Sequence, residues 1–170
     1  MKIKYLLGMR LLFLMVLFFV FSYAHKGLKP PILKDKTSET TSRTLAYQAI
    51  NQQYVQNIKQ IFQKVCFDCH SNKTNYPWYH KLPGLKQFIE RDIREGKKHL
   101  NLSNDFPFKS HATPQEDLDA IEKVILDNSM PPWRYKILHW NSKLTEAEKK
   151  EILKWIHSSL SAILKICAAM

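Results

Sequence analysis

Cysteine and glycine are the scarce residues of this 170-residue chain, which contains three cysteines and four glycines. An odd number of cysteines excludes a framework in which every cysteine is paired within the chain. Few glycines, and no convincing run of alternating polar and apolar residues, argue against a sheet-based domain. With 45% hydrophobic residues the chain has enough apolar material for one core. These features predict a single all-α domain.

A long apolar run is found at the N-terminus. Leu11 to Phe21 is uninterrupted and follows three basic residues, an order typical of a secretory signal or an N-terminal membrane anchor. The run is shorter than the roughly 20 residues of a bilayer span, and Ser22 and Ala24 would suit a signal peptidase. We therefore expect residues 1–24 to form a hydrophobic helix that is either a cleaved signal peptide or an anchor. The remainder would then lie on the periplasmic or extracytoplasmic side of the cell envelope.

The exported part carries a net positive charge. Beyond Ala24, 23 basic residues stand against 15 acidic ones, a formal +8. This balance favours an acidic protein partner or an anionic membrane surface, although a net charge also serves solubility. We expect no nucleic acid partner, because the basic residues are scattered along the chain and the compartment is extracytoplasmic.

The pattern along the chain predicts a linker followed by four helices. Residues 25–43 are rich in Ser, Thr and Lys and read as a linker, which leaves 44–170 as the folded domain. The first helix starts at Thr44 and runs into Cys66, with apolar residues at three- and four-residue spacing. The others are expected from Leu82 or Pro83 to about Lys97, and from the capping-box sequences TPQE at Thr113 and TEAE at Thr145.

The sequence VCFDCH places Cys66, Cys69 and His70 in a C-x-x-C-H motif. Two cysteines at this spacing can form thioethers to the two vinyl groups of one haem, and the adjacent histidine then becomes an iron ligand. The motif by itself does not constrain Phe67 or Asp68. Covalent haem attachment also suits the extracytoplasmic compartment that the N-terminus predicts.

Two other interpretations of the motif remain. A zinc knuckle would use Cys66 and Cys69 with histidines chosen from His70, His80, His99 and His111. Adjacent Cys69 and His70 cannot easily reach one tetrahedral ion, and the chain lacks a second C-x-x-C. A thiol–disulfide pair is expected after a strand and before a helix, whereas here a helix precedes the motif.

Met130 is the candidate for the second axial ligand of a haem iron. It lies in DNSMPPWRY, 60 residues after His70, while the other methionines belong to the targeting segment or the C-terminus. A thioether ligand favours ferrous iron and raises the reduction potential. Pro131 and Pro132 restrict the backbone that would present the sulfur.

Side chains near these two segments are candidates to contact the haem. Their indole, phenol and guanidinium groups can donate hydrogen bonds to propionates, and the aromatic ones can equally cover the macrocycle or fill the core. They are Trp78, Tyr79, Trp133 and Arg134.

The segments CFDCHSNKTNYPWY, IERDIREGKKHLNLS and MPPWRY together resemble a small exported haem-binding domain family related to c-type cytochromes. That family pairs CxxCHSNxTxYPWY with a downstream MPPW, and the resemblance covers roughly Tyr54 to Leu160. It implies an all-α, cytochrome c-like domain around one covalently bound haem c. It also implies thioethers at Cys66 and Cys69, a proximal ligand at His70 and a distal ligand at Met130.

The function expected from this reading is single-electron transfer by a monohaem protein that docks on an acidic redox partner. A peroxidase-type haem enzyme is the first alternative, but it needs an open iron position and a distal acid or base that the sequence does not place. A haem-based redox or gas sensor is the second alternative, and the chain offers no output domain for it. A zinc-binding module is the third.

Overall fold

The structure is a computed structural model that describes residues 36–140 and 142–168. The hydrophobic helix expected within residues 1–24, and the first part of the expected linker, lie outside the described residues. The described residues are mostly helical, which confirms the all-α prediction. Within them, no helix combines the length and the apolar character that crossing a membrane requires.

The first helical stretch leads directly to the C-x-x-C-H motif. Helix α1 (Lys36–Gln53) continues through a π-helical turn (Tyr54–Ile58) into α2 (Lys59–Val65), and the four-residue α3 (Phe67–His70) carries the motif. Helix α1 begins eight residues before the expected start at Thr44, inside the segment expected to be a linker. From residue 39 to residue 49 this helix buries no side chain, so no apolar periodicity marked its beginning in the sequence.

The remaining elements follow in an order close to the expected one. They are a 3₁₀ turn (Trp78–Lys81), α4 (Leu85–His99), strands β1 (Leu100–Asn101) and β2 (Lys109–Ser110), α5 (Pro114–Leu126), α6 (Trp133–Leu138) and α7 (Glu146–Ala168). The strands pair antiparallel, with Leu100 opposite Ser110. Neither the strands nor α6 was predicted, because elements of two and six residues are too short to show a period.

Both predicted capping boxes are present. At α5 the Thr113 hydroxyl accepts from the Glu116 N–H at 3.3 Å, and the Glu116 carboxylate accepts from the Thr113 N–H at 2.7 Å. At α7 Thr145 and Glu148 make the same pair of bonds at 3.2 and 2.7 Å. The side chains thus satisfy backbone donors that a helix start would otherwise leave without partners.

An aromatic cluster forms the centre of the core. Ring centroids within it lie 5.1 to 6.4 Å apart, mostly edge to face, the range in which aromatic pairs attract one another beyond simple burial. Its members are Tyr54, Phe62, Phe106, Phe108 and Trp155. Because the cluster joins the α1–α2 stretch to α7, it holds the start of the C-x-x-C-H motif against the core. Helix α3 then packs against α4.

Candidate functional site

His70 lies at the end of α3 and its imidazole has a defined orientation. Its Nδ1 lies 2.9 Å from the carbonyl oxygen of Leu100, and the backbone carbonyl of His70 accepts from the Leu102 N–H at 2.7 Å. A carbonyl oxygen only accepts, so Nδ1 carries the proton and Nε2 keeps a free lone pair. Burial lowers the pKa of His70. The ring is therefore a neutral imidazole at neutral pH, which is the form that binds a metal.

The two cysteines of the motif lie one helical turn apart. The N–H groups of Cys69 and His70 both donate to the carbonyl of Cys66, at 3.2 and 3.0 Å. Both thiols are partly buried and unpaired. Burial raises the pKa of Cys66 to about 12 and that of Cys69 to about 11. A redox-active thiol pair needs a lowered pKa, so these values argue against the thiol–disulfide interpretation.

The two residues between the cysteines have structural roles, and the view that they are unconstrained is wrong for this chain. Phe67 is buried in the core. Asp68 accepts three hydrogen bonds: its carbonyl from the Thr74 hydroxyl at 2.9 Å, Oδ1 from the Asn75 N–H at 3.0 Å, and Oδ2 from the Tyr135 hydroxyl at 2.6 Å. Asp68 therefore links the motif to the segment that follows Met130.

Gly96 allows α4 to approach the motif closely. A Cβ added at this position would lie 2.8 Å from the carbonyl oxygen of Cys69 and 3.3 Å from its carbonyl carbon. No motif in the sequence links this residue to the site. The signal that was available is a glycine inside an otherwise helical pattern, which lowers helix stability and often marks close packing.

Met130 lies in the loop between α5 and α6 and is 42% exposed. The chain after it is tied to the helices around the motif, because Tyr135 donates to Asp68 and Arg134 donates to Asp92 of α4 at 2.9 Å. Within the segment, Lys136 Nζ donates to the Asn128 carbonyl at 2.9 Å. The loop bearing Met130 is thus anchored at its end to the region of His70.

The four candidate haem contacts have different surroundings. Trp78 and Trp133 are largely exposed, and the Tyr79 hydroxyl lies 3.4 Å from His139 Nε2. The guanidinium of Arg134 pairs with Asp92 and lies 4.9 Å from the centroid of the Phe88 ring. Arg134 is therefore engaged with α4, and a contact between it and a propionate stays a prediction, as do the roles of the three aromatics.

The side chains needed for a zinc site do not come together in the described part of the chain. No group of three or more His, Cys, Asp or Glu side chains is suitably placed there to hold a metal ion. His80, one candidate ligand, has its ring centroid 4.2 Å from that of Tyr76, and its Nε2 lies 3.4 Å from the Glu90 carboxylate. The zinc interpretation thus lacks its third and fourth ligands in this region.

Comparison with known proteins identifies the family. The sequence profile of a family described as a haem-binding domain matches residues 30–158. The chain belongs to this haem-binding domain family. Cytochrome c peroxidase Ccp of Escherichia coli (strain K12) is 38% identical over 96 residues, which are 55% of this chain and 21% of that protein. The chain therefore spans about a fifth of the length of this relative. No solved structure matches.

The described residues of this haem-binding domain suit a haem. His70 offers a neutral Nε2, and two thiols lie on the adjoining turn. Large apolar side chains on the 3₁₀ turn, the start of α4 and the Met130 loop are each more than a third exposed: Trp78, Leu82, Leu85, Phe88, Met130 and Trp133. Apolar side chains of this kind can cover the faces of a macrocycle whose propionates stay polar at one edge.

Proposed function

We propose that this domain is a monohaem c-type electron carrier of the cell envelope, with Cys66 and Cys69 as thioether positions, His70 as one axial ligand and Met130 as the other. The observation that carries the proposal is the hydrogen bond from His70 Nδ1 to the Leu100 carbonyl. It orients the ring and leaves Nε2 free, inside a motif whose cysteines lie one turn away. A c-type haem bound there supplies one-electron chemistry at a potential set by its axial ligands. A cytochrome c-like arrangement of the helices around the group is part of this proposal.

Electron transfer follows from what the chain's own residues would do. The Met130 thioether would hold the iron together with His70, would exclude other ligands from it and would favour the reduced state. The net charge of +8 beyond residue 24 would steer the domain toward an acidic redox partner, and the association rate should then fall as salt rises. Residues 1–24 would export the domain or anchor it to the membrane.

Peroxide reduction is the second candidate, and the name of the Escherichia coli relative favours it. For this activity Met130 would have to give up the iron, and a nearby side chain would have to move protons. The relative shares a segment that makes up 21% of its length, and this chain carries one C-x-x-C-H motif. Peroxide reduction by this domain alone is therefore the less favoured candidate.

Haem retention after denaturation tests the attachment. The protein, made in a host that attaches haem c, should keep haem on a denaturing gel, and a double variant with Cys66→Ser and Cys69→Ser should lose it. Cys167→Ser is the matched control, because Cys167 is an exposed cysteine near the end of α7 and should keep haem. If the double variant kept haem as the native protein and Cys167→Ser do, attachment at the motif would be contradicted.

Reaction with peroxide separates the two candidates. An electron carrier with an intact sixth ligand should show a low-spin spectrum in both oxidation states and should exchange electrons rapidly with a small redox dye. It should also be oxidised by hydrogen peroxide no faster than free haem c peptides of the same concentration. Multiple rapid turnovers with peroxide would favour the enzyme.

A further inference from the structure

A short hydrogen bond connects the C-x-x-C-H motif to the segment that carries Met130. The Tyr135 hydroxyl donates to Asp68 Oδ2 at 2.6 Å, and the two residues are 67 positions apart in the chain. Asp68 lies between the two cysteines, and Tyr135 lies five residues after Met130 in α6. The family pattern quoted above does not assign a role to either side chain.

Asp68 is a rigid partner for this bond. Its other carboxylate oxygen accepts from the Asn75 N–H at 3.0 Å, and its backbone carbonyl accepts from the Thr74 hydroxyl at 2.9 Å. Because both ends of the residue are held, the carboxylate has little freedom to follow a moving tyrosine. The bond therefore fixes the distance between the motif and Tyr135.

Tyr135 is held equally well on its other side. Its ring stacks on that of His139, with centroids 3.9 Å apart and planes at 9°, and His139 Nδ1 donates to the Tyr135 carbonyl at 3.1 Å. Burial, with the neighbouring Asp68 carboxylate, raises the pKa of Tyr135 well above its usual value. The hydroxyl therefore stays protonated and serves as a donor throughout the neutral range.

Two further features make movement of Tyr135 matter for Met130. The four residues between them are Pro131, Pro132, Trp133 and Arg134, and the two prolines restrict the backbone torsions. The second tie, from Arg134 to Asp92, joins side chains that are 46% and 29% exposed, so water and salt screen it more. The bond to Asp68 is short, at 2.6 Å, and part-buried, so it is better shielded from solvent than the Arg134–Asp92 pair.

We infer that Asp68 and Tyr135 form a clamp that holds the Met130 loop in register with the haem attachment motif, and so determines how well Met130 competes with external ligands for the iron. This inference rests on the proposed function, in which Met130 is an axial ligand. Both members are positioning residues, because the clamp acts on the iron through Met130. In the absence of the clamp, the loop would spend a larger fraction of time with the sulfur withdrawn.

Imidazole binding to the ferric protein measures that fraction. An external ligand binds the iron only while Met130 is away, so its apparent affinity rises in proportion to the open population. Tyr135→Phe keeps the ring and its stacking and removes the hydroxyl, which bonds to Asp68 and to the Ser142 side chain. Loss of one charge-assisted hydrogen bond should raise the apparent imidazole affinity about tenfold. The reduction potential should fall in the same variant, since thioether ligation favours the ferrous state.

Matched variants separate the clamp from a general loss of stability. Tyr76→Phe removes the hydroxyl of an exposed tyrosine near the same region and should leave imidazole affinity unchanged. Asp68→Ala also removes the bond from the Asn75 N–H and should raise the imidazole affinity at least as much as Tyr135→Phe, whereas Asp68→Asn keeps an acceptor oxygen and should recover part of the effect. In the double variant Asp68→Ala with Tyr135→Phe the effect should be smaller than the sum of the two single effects, because both changes remove the same bond between the two side chains.

Amide hydrogen exchange supplies a readout that does not use the iron. In Tyr135→Phe the α6 amides should exchange faster than in the native protein, while those of α7 should keep their protection. Unchanged imidazole affinity and potential in Tyr135→Phe, with haem and methionine ligation intact in the native protein, would overturn the clamp alone. Native protein without covalent haem, or a Met130→Ala variant with native imidazole affinity, would overturn the proposed function and the clamp with it.

Discussion

Replacement of Gly96 by alanine should destabilise the domain, although the same change stabilises most helices. Gly96 lies within α4, where alanine is better than glycine by about 1 kcal/mol. Here the added Cβ would lie 2.8 Å from the Cys69 carbonyl oxygen, whereas carbon and oxygen normally stay about 3.3 Å or more apart. Either α4 or the motif must therefore shift by roughly half an ångström.

The expected magnitude follows from these opposing effects. Overpacking of a well-packed contact costs about 1 to 3 kcal/mol, and the gain in helix propensity offsets about 1 kcal/mol of it. We expect Gly96→Ala to lower the free energy of unfolding by up to about 2 kcal/mol. The neighbour is a backbone carbonyl rather than a flexible side chain, so it has little capacity to yield. Because the shift falls on the turn that joins Cys69 to His70, the haem spectrum should also change.

Denaturant unfolding of the haem-loaded protein measures the effect, and a second site in the same helix provides the control. Arg94 is exposed on α4, so the difference in free energy of unfolding between Arg94→Gly and Arg94→Ala measures helix propensity alone. The Arg94→Ala variant should be the more stable of the two. If Gly96→Ala gained as much stability as alanine gains over glycine at position 94, the close approach between α4 and the motif would be refuted.

Three further changes test other parts of the structure. Met130→Ala should leave haem attached but move the ferric iron from low spin toward high spin and lower the potential, which visible spectroscopy and redox titration would detect; an unchanged spectrum would eliminate Met130 as a ligand. Glu148→Ala removes the carboxylate that closes the α7 capping box and pairs with Lys64 at 2.8 Å, and should lower the free energy of unfolding by about 1 kcal/mol; an unchanged free energy of unfolding would contradict the role of the cap. Burial raises the pKa of Asp117, which accepts from Ser110 at 2.9 Å; the folded state therefore binds a proton more readily than the unfolded state, and the charged carboxylate costs stability above the raised pKa. At pH 7 the melting temperature of Asp117→Asn should be no lower than that of the native protein, and any gain should disappear on acidification. A clear drop in the melting temperature at pH 7 would contradict this.

The parts of the fold that the sequence predicted correctly are those with a local physical signal. The capping boxes at Thr113 and Thr145 are present as expected, because the side chain that closes each box is three residues away. Helix α4 runs from Leu85 to His99, within three residues of its expected bounds, because its apolar stripe is regular. The first part of α1 was missed because residues 39 to 49 bury no side chain and leave no apolar period to detect.

The candidate site divides in the same way. The motif itself indicates which residues would attach and ligate a haem, since their chemistry depends on short spacing. The partners that orient them are distant in the chain: the carbonyl of Leu100 is 30 residues from His70, and Tyr135 is 67 from Asp68. A backbone carbonyl has no sequence signature, and a tyrosine among several aromatics does not reveal which carboxylate it meets. Gly96 did leave a signal, but its meaning depends on the packing of α4 against the motif.

The measurement that tests the central claim most directly is the intact mass of the protein made in a host that attaches haem c, recorded after denaturation and extraction with acidified organic solvent. The proposal predicts the mass of one chain plus one haem, and the bare chain for the variant in which Cys66 and Cys69 are both serine. Native chains that carry no added haem mass, while the host matures another c-type protein normally, would contradict covalent attachment at Cys66 and Cys69.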